Sequence, residues 1–169
     1  MTFTPALFIL AFVPMVLEAR VSRRHTDALL AAGAVEPPGD VYRVMQIAYP
    51  AAFLAMAIES WRRPVTVDVL LLAGVSVFVL AKGLKYWAIA SLGPRWSFRV
   101  LVPPRSVPTT AGPYRIMRHP NYVAVIGELA GMALMAQARV TGVVAVLGFG
   151  LLILRRIRVE EAALQEAAK

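Results

Sequence analysis

Five long apolar stretches constrain the fold of this chain more than any other feature of its sequence. An α-helix needs about 20 mainly apolar residues to cross the roughly 30 Å of hydrocarbon in a bilayer. Stretches near that length occupy residues 3–20, 42–60, 66–91, 122–138 and 140–155. Hydrophobic residues make up 59% of the chain, against roughly 45–50% in soluble domains. The sequence therefore predicts an all-α integral membrane protein with about five transmembrane helices.

Prolines and one short polar junction shape the predicted spans. Pro120 opens the fourth span, where proline is favoured because a first-turn N–H has no partner within the helix. The junction at 137–139 predicts a tight turn that closes a short C-terminal helical hairpin. Pro14 and Pro50 lie inside spans and predict kinks. Because no basic segment precedes the first span and no small-residue cleavage signal follows it, we expect that span to stay attached.

The distribution of Lys and Arg predicts how the spans are oriented, because cytoplasmic loops carry an excess of these residues. Thirteen fall on one side of the predicted bundle: Arg20, Arg23, Arg24, Arg43, Arg95, Arg99, Arg105, Arg115, Arg118, Arg155, Arg156, Arg158 and Lys169. Three fall on the other side: Arg62, Arg63 and Arg139. Lys82 and Lys85, near the inner end of the third span, are expected to snorkel toward the basic side. We therefore expect a multi-pass protein of the inner cell membrane, with the N-terminus outside and the C-terminus in the cytoplasm.

The composition also excludes several kinds of site and partner. The net charge of +8 falls in short clusters between apolar runs. Membrane lipids with anionic headgroups suit this pattern better than nucleic acid, whose binding needs a continuous basic patch. The chain has no cysteine and only two histidines, His25 and His119. Cysteine and multi-histidine metal cages are therefore excluded, and we expect no metal site.

Two connectors on the predicted cytoplasmic side are candidates for function. The first, at residues 21–41, is polar, and the second covers residues 92–121. Loops longer than about 15 residues are usually functional or disordered. Trp96, Phe98 and Tyr114 make the second connector too apolar for a solvated linker. We expect this long cytoplasmic loop, which precedes the C-terminal hairpin, to lie against the helix ends as a lid or pocket wall.

Side chains able to do chemistry concentrate where the fourth span begins. The segment 112–122 contains two tyrosines, two arginines, a histidine and an asparagine. Tyr and Arg also anchor helix ends at membrane interfaces. An interfacial belt and a functional site are therefore equal alternatives for this segment.

Glu128 lies about two turns inside the fourth span, where an ionisable group is a functional hypothesis by default. The alternative is a structural role, in which Glu128 is protonated or paired with Lys82 or Lys85. Gly127 and Gly131 form a small-xxx-small pair, which predicts close helix packing.

The chain after the fifth span predicts a further helical segment at residues 155–164. Arg156 with Glu160, and Arg158 with Glu161, have the spacing of weak ion pairs on a helix surface. Without further information, a solvated surface helix is the favoured interpretation of this segment.

Taken together, these segments resemble the isoprenylcysteine carboxyl methyltransferase family. The resemblance rests on 112–122 with its Arg-His-Pro-x-Tyr core, on Glu128 in a Gly-Glu pair, and on 156–164 with its Glu-Glu pair. The core and the Glu-Glu pair are shared with phospholipid methyltransferases. A wider match over 87–97, and more loosely over 33–36, is similar to a small bacterial branch that accompanies type III polyketide synthases.

The resemblance implies S-adenosylmethionine as cofactor and S-adenosylhomocysteine as product. It places the cofactor on the cytoplasmic side, between the Arg-His-Pro-x-Tyr and Glu-Glu regions. The residues that it implies for cofactor binding are Tyr114, His119, Pro120, Tyr122, Arg158, Glu160 and Glu161. We expect residues 1–169 to form one membrane methyltransferase domain, with its cofactor-binding region near 112–169 and its N-terminal helices at 3–91.

The chemistry of methyl transfer suggests further roles. Aromatic faces such as Tyr114, Tyr122 and Trp96 suit a sulfonium cation. The candidate catalytic residues are Arg118, which, like Arg115, could offset the charge of an ionised acceptor, and His119 or Glu128, either of which would serve as base for a phenol.

The implied reaction is O-methylation of a lipophilic small-molecule acceptor, either a polyketide alkylpyrone or alkylresorcinol or an isoprenylcysteine-type carboxylate. A functional link to a type III polyketide synthase is part of this expectation. N-methylation of phosphatidylethanolamine is the enzymatic alternative. A non-catalytic membrane subunit or a small transporter is the alternative of another class.

Overall fold

The computed structural model describes residues 4–61, 66–104 and 109–167 as a bundle of α-helices. The helices are α1 (Thr4–Ala31), α2 (Tyr42–Ser60), α3 (Val69–Leu92), α4 (Pro120–Met135) and α5 (Thr141–Ala167). Two short 3₁₀ helices, Gly93–Arg95 and Gly112–Arg115, lie between α3 and α4. Extended pairing within these ranges is limited to an isolated antiparallel bridge between Val35 and Val102. The predicted all-α fold is confirmed.

One described segment, Val69–Arg95, is long and apolar enough to cross a membrane, with a mean hydropathy of 1.8. α4 has 16 residues and is about 24 Å long at 1.5 Å per residue, which is less than the roughly 30 Å of hydrocarbon. The topology of five spans therefore stays a prediction. Four of the basic residues used to predict orientation lie outside the described residues: Arg62, Arg63, Arg105 and Lys169.

α1 is longer than the sequence predicted. The polar connector expected at 21–41 is wrong over residues 21–31, which continue the helix. No proline or glycine interrupts that stretch, and the chain leaves the helical conformation near Gly33, whose φ is +84°. The extension attaches α1 to the connector between α3 and α4, because Ser22 Oγ accepts a 2.8 Å hydrogen bond from Phe98 N. Thr26 Oγ1 lies 2.8 Å from Ser97 Oγ.

Glycines allow α3 and α4 to pack closely. A Cβ on Gly131 would lie 2.7 Å from Phe78 N, and a Cβ on Gly127 would lie 2.8 Å from Ala81 Cβ. Real Cβ atoms essentially never approach other atoms so closely. The prediction of close helix packing at this glycine pair is confirmed. Leu129 and Met132, on the same helix, are fully buried in the apolar core.

The C-terminal hairpin follows the sequence prediction. α4 begins at Pro120, and the predicted tight turn contains Gln137 with a φ of +50°. Glu59 of α2 holds the start of α5, because its Oε2 accepts hydrogen bonds from Thr141 N at 2.8 Å and Thr141 Oγ1 at 2.6 Å. The segment predicted to be helical after the fifth span belongs to α5, which runs without a break to Ala167.

The described part of the connector between α3 and α4 packs against the helix ends. Trp96 and Val100 are buried. Arg99 pairs with the Glu36 carboxylate, whose hydrogen bonds raise the pKa of the guanidinium. Residues 105–108 of this connector lie outside the described residues.

Candidate functional site

The start of α4 lies beside the last turns of α5. Pro120 fixes the first helical turn of α4, and this leaves His119 as the N-cap residue with φ −127° and ψ 59°. Tyr122 projects from the first turn of α4 toward Glu160 of α5, and its hydroxyl donates a 2.7 Å hydrogen bond to Glu160 Oε2. The structure therefore brings together the two sequence motifs that lie 38 residues apart.

His119 completes this group, which we call the carboxylate cluster and define as His119, Tyr122, Glu160 and Glu161. Its ring stacks on Tyr122 at a centroid distance of 5.4 Å and an interplanar angle of 21°. Its Nε2 lies 3.3 Å from Glu161 Oε1, and its Nδ1 lies 3.8 Å from Glu160 Oε2. The side chains of Glu160 and Glu161 are 30% and 41% exposed. The cluster therefore presents two accessible carboxylates beside a stacked aromatic pair.

Tyr114 lies next to the carboxylate cluster in the second 3₁₀ helix. Burial, together with the negative charge of Glu160, raises the pKa of its phenol from 10.0 to about 12. Tyr114 is therefore neutral at physiological pH. It offers an aromatic face and a hydroxyl rather than a phenolate.

The other predicted site residues differ in their exposure. Pro120 is buried. The side chain of Arg118 is 88% exposed, with Nη1 3.9 Å from Glu161 Oε1. Arg158 is also exposed. Both arginine side chains therefore lie on the surface of the described structure.

Arg156 was not predicted as a site residue, and its expected surface pairing with Glu160 is wrong. It is buried, with 6% of its surface exposed. Its Nη2 lies 3.6 Å from Asp40 Oδ2 and donates a hydrogen bond to the Phe98 carbonyl. Its guanidinium also lies 5.9 Å from the ring centroid of Tyr122. Arg156 thus connects α5, the connector and Asp40, two residues before α2, to one face of the carboxylate cluster.

Glu128 belongs to a second polar group, the internal ion cluster, which consists of Glu18, Tyr49, Lys82, Lys85 and Glu128. Lys85 Nζ lies 2.6 Å from Glu18 Oε2 and 3.3 Å from Glu128 Oε1. Lys82 Nζ lies 2.8 Å from Glu18 Oε1 and 3.3 Å from Glu128 Oε2. The hydroxyl of Tyr49 donates a hydrogen bond to Glu128 Oε2.

The expectation that Lys82 and Lys85 snorkel toward the basic side is therefore wrong. The two carboxylates hold both ammonium groups inside the bundle, where Lys85 is 2% exposed. Glu128 lies nine residues beyond His119 on α4, or about 13 Å along the helix axis. The structure thus separates this predicted catalytic residue from the carboxylate cluster.

Trp96 and Asn121 also differ in what they offer to a ligand. Trp96 is 2% exposed and packs edge-on against Phe98 and His25, which removes its ring faces from solvent. Asn121, between Pro120 and Tyr122, has a buried Oδ1 without a hydrogen-bond partner. An unsatisfied buried acceptor is costly, so a donor from a ligand would stabilise it.

These features fit the chemistry of S-adenosylmethionine. Its ribose hydroxyls and amino group are hydrogen-bond donors, for which Glu160, Glu161 and Asn121 Oδ1 are matching acceptors. Its sulfonium cation suits the faces of Tyr114 and Tyr122. The donor and acceptor set therefore matches the cofactor that the sequence resemblance implies.

A cavity of about 450 Å³ opens beside Asp40 and Tyr42, which both contact Arg156. Charged and polar side chains dominate its lining: Glu36, Asp40, Tyr42, Arg43, Gln46 and Arg99. The cavity therefore lies beside two residues that contact Arg156, although Arg156 is not part of its lining.

The isoprenylcysteine carboxyl methyltransferase (ICMT) family is similar in sequence to residues 72–166, more than half of the chain. The chain is 31% identical over 160 residues to an uncharacterized Bacillus subtilis protein, YpbQ, with 95% of each chain covered. It is 28% identical over 145 residues to an uncharacterized Haemophilus influenzae protein, with 85% of this chain and 84% of that protein covered. No solved structure matches the chain.

Proposed function

Since this chain belongs to the ICMT family of membrane methyltransferases, we propose that it transfers a methyl group from S-adenosylmethionine to an oxygen of a hydrophobic, lipid-like acceptor. The observation that carries the proposal is the carboxylate cluster. The family's Arg-His-Pro-x-Tyr and Glu-Glu motifs meet there, through the bond from Tyr122 to Glu160 and the contact of His119 with Glu161.

The proposed cofactor site uses groups of three kinds. Glu160 and Glu161 accept hydrogen bonds from the cofactor's hydroxyl and amino groups. Tyr122 and Tyr114 present aromatic faces to its cationic centre. Arg156 holds Tyr122 in place from the other side, through a buried contact with its ring.

The bound cofactor supplies an electrophilic methyl group on a sulfonium. Transfer of that methyl group to an acceptor oxygen would leave the sulfur as a neutral thioether. The chain's task is to align the acceptor oxygen with that methyl group and to exclude water. Pro120 and the stacked pair of His119 and Tyr122 make a rigid wall for this purpose.

The acceptor determines which residue assists the reaction. An ionised carboxylate or enolate needs no base, and Arg118 on the rim would offset its charge. A neutral phenol loses a proton to a base during transfer. His119, in the carboxylate cluster, would accept this proton, and Glu128 would do so only for an acceptor oxygen that reaches the internal ion cluster. We propose the three residues in these roles.

Titration calorimetry of the purified protein in detergent tests the cofactor. S-adenosylmethionine and S-adenosylhomocysteine should both bind, and a chelator should leave their affinities unchanged, because the chain has no cysteine and only two histidines to form a metal cage. Absence of binding would contradict the proposal. Loss of binding when the chelator is added would contradict the claim that the cofactor binds without a metal ion.

A further inference from the structure

Asp40 lies in the loop between α1 and α2, outside the residues 72–166 that match the ICMT family. Its side chain is only 3% exposed. Its Oδ1 accepts a 3.1 Å hydrogen bond from Tyr42 N, and its Oδ2 accepts a 3.2 Å hydrogen bond from Val100 N. These bonds fix the carboxylate between the start of α2 and the connector that precedes α4.

The guanidinium of Arg156 lies against this fixed carboxylate. Its Nη2 is 3.6 Å from Asp40 Oδ2. The guanidinium also lies between two aromatic rings, 6.0 Å from the centroid of Tyr42 and 5.9 Å from that of Tyr122. A buried charge is costly unless it is paired. Among the residues that the structure describes, Asp40 is the carboxylate within ion-pair distance of Arg156.

Glu160 is a competing partner for Arg156. It follows Arg156 by four residues on α5, a spacing at which opposite charges on a helix can pair. The structure shows another arrangement, because Glu160 Oε2 accepts its hydrogen bond from the Tyr122 hydroxyl. The Glu160 side chain stays 30% exposed. Without the charge of Asp40, the buried guanidinium would be stabilised by turning toward Glu160, and that carboxylate would have fewer lone pairs for a ligand.

We propose that Asp40 is a positioning residue of the carboxylate cluster. Its charge holds the Arg156 guanidinium away from the Glu160 carboxylate, which stays bonded to Tyr122 and open to a ligand. No hydrogen bond or ion pair joins Asp40 to the cluster itself within the described ranges, so Asp40 acts through Arg156. The consequence for cofactor binding rests on the proposed function.

Cofactor affinity is the first test. Asp40→Asn keeps the shape of the side chain and removes its charge, so it should weaken S-adenosylmethionine binding to the full chain in detergent about tenfold. Asp68→Asn is the matched control, because Asp68 also precedes a helix and accepts a 3.0 Å hydrogen bond from Leu71 N, but it belongs to neither polar cluster. It should retain full affinity. Equal affinity in folded Asp40→Asn and the unaltered protein would overturn the proposal.

A double-mutant cycle separates positioning from a general structural role. Arg156→Gln removes the guanidinium that Asp40 is proposed to position. Adding Asp40→Asn to Arg156→Gln should therefore cause no further loss of affinity, since coupled residues are not additive. Additive losses would show that Asp40 does not act through Arg156. This comparison does not need the single Asp40→Asn variant to fold, because the double variant leaves no unpaired guanidinium.

Carboxylate labelling without cofactor follows Glu160 directly. Carbodiimide coupling of glycine ethyl ester should modify Glu160 in the unaltered protein, because its side chain is partly exposed. In Asp40→Asn the guanidinium should cover Glu160 and slow its modification. Glu166, exposed near the end of α5, is the internal reference and should react equally in both proteins. Equal modification of Glu160 in both proteins would contradict the proposed positioning.

The two measurements distinguish the two proposals. If the unaltered protein does not bind S-adenosylmethionine but Asp40→Asn protects Glu160 from modification, the proposed function alone is rejected. If the unaltered protein binds the cofactor and Asp40→Asn changes neither affinity nor modification of Glu160, the role of Asp40 alone is rejected.

Discussion

Glu160 and Glu161 differ from their helical neighbour Glu166 in what surrounds them. The first two contact His119 and Tyr122, whereas Glu166 is exposed near the end of α5. A hydrogen bond to a charged group contributes about 1.5–3 kcal/mol, and roughly 1.4 kcal/mol is a tenfold change in affinity. Glu160→Gln and Glu161→Gln should therefore each weaken S-adenosylmethionine binding by a factor of roughly ten to one hundred in calorimetry. Glu166→Gln is the control, and equal affinities in all three variants would contradict the assignment.

Tyr114 gives a prediction at alkaline pH. Because its pKa is raised from 10.0 to about 12 in the folded protein, the folded state favours the neutral phenol. The corresponding stability is fully present below pH 10 and is lost as the pH rises toward about 12. The unfolding temperature in detergent should fall more steeply between pH 10 and about pH 12 for the unaltered protein than for Tyr114→Phe. Parallel curves would show that Tyr114 has no raised pKa.

The residues that the sequence could identify are those in local motifs. His119, Tyr122, Glu160 and Glu161 stand in short patterns that can be recognised without a structure. Glu18, Asp40 and Arg156 could not be identified as site or cluster residues, because their partners are distant in sequence. Lys82, for example, is 64 residues from Glu18, and no spacing rule relates residues on different helices.

At the scale of helices, the contact between α3 and α4 depends on the lack of a side chain at Gly131. A Cβ there would meet Phe78 N at 2.7 Å and Gly74 O at 2.9 Å, and these backbone atoms cannot rotate away. Overpacking typically costs about 1–3 kcal/mol, so Gly131→Ala should lower the unfolding temperature in detergent. Gly83→Ala is the matched control, because a Cβ at Gly83 on α3 meets nothing within 4 Å.

Alanine is favoured over glycine within helices by about 1 kcal/mol. Gly83→Ala should therefore leave stability unchanged or raise it slightly. If both variants unfold at the same temperature, close packing at Gly131 does not stabilise the fold.

The sequence predicts a helix boundary correctly where a residue at that boundary determines the local backbone conformation. Pro120 starts α4 and the 137–139 junction turns the chain, since proline geometry and short polar junctions act within a few residues. The end of α1 cannot be predicted from the length of its apolar stretch, which stops near residue 20, whereas the helix ends at Ala31. The helix instead continues through polar residues, and Ser22 bonds to a connector that is 76 residues away.

At the scale of the whole molecule, orientation in the membrane is a separate prediction. The excess of basic residues on one side predicts that the C-terminus is cytoplasmic. A reporter that works only in the cytoplasm should be active when it is fused after Lys169. The same fusion with a periplasm-only reporter should be silent. Activity of the periplasmic reporter alone would reverse the orientation and place the carboxylate cluster on the outer face.

The bundle contains two polar groups at different depths. The carboxylate cluster, at the start of α4, is proposed to hold the methyl donor, and the internal ion cluster lies about 9 Å deeper along the same helix. Helix α4 contributes Tyr122 to the first group and Glu128 to the second. Helix α2 contributes Tyr49 to the second group, and its Tyr42 contacts Arg156, which supports the first.

The most direct test of the central claim is transfer of label from methyl-tritiated S-adenosylmethionine to a lipid extract by the purified protein in nanodiscs. We expect tritium in an organic-soluble product whose methyl group is bound to oxygen, as an ether or ester. Glu160→Gln with Glu161→Gln should abolish this transfer, whereas Glu166→Gln should retain it. Label found in phosphatidylethanolamine derivatives would contradict O-methylation, and absence of labelled lipid would contradict methyltransferase activity toward lipid acceptors.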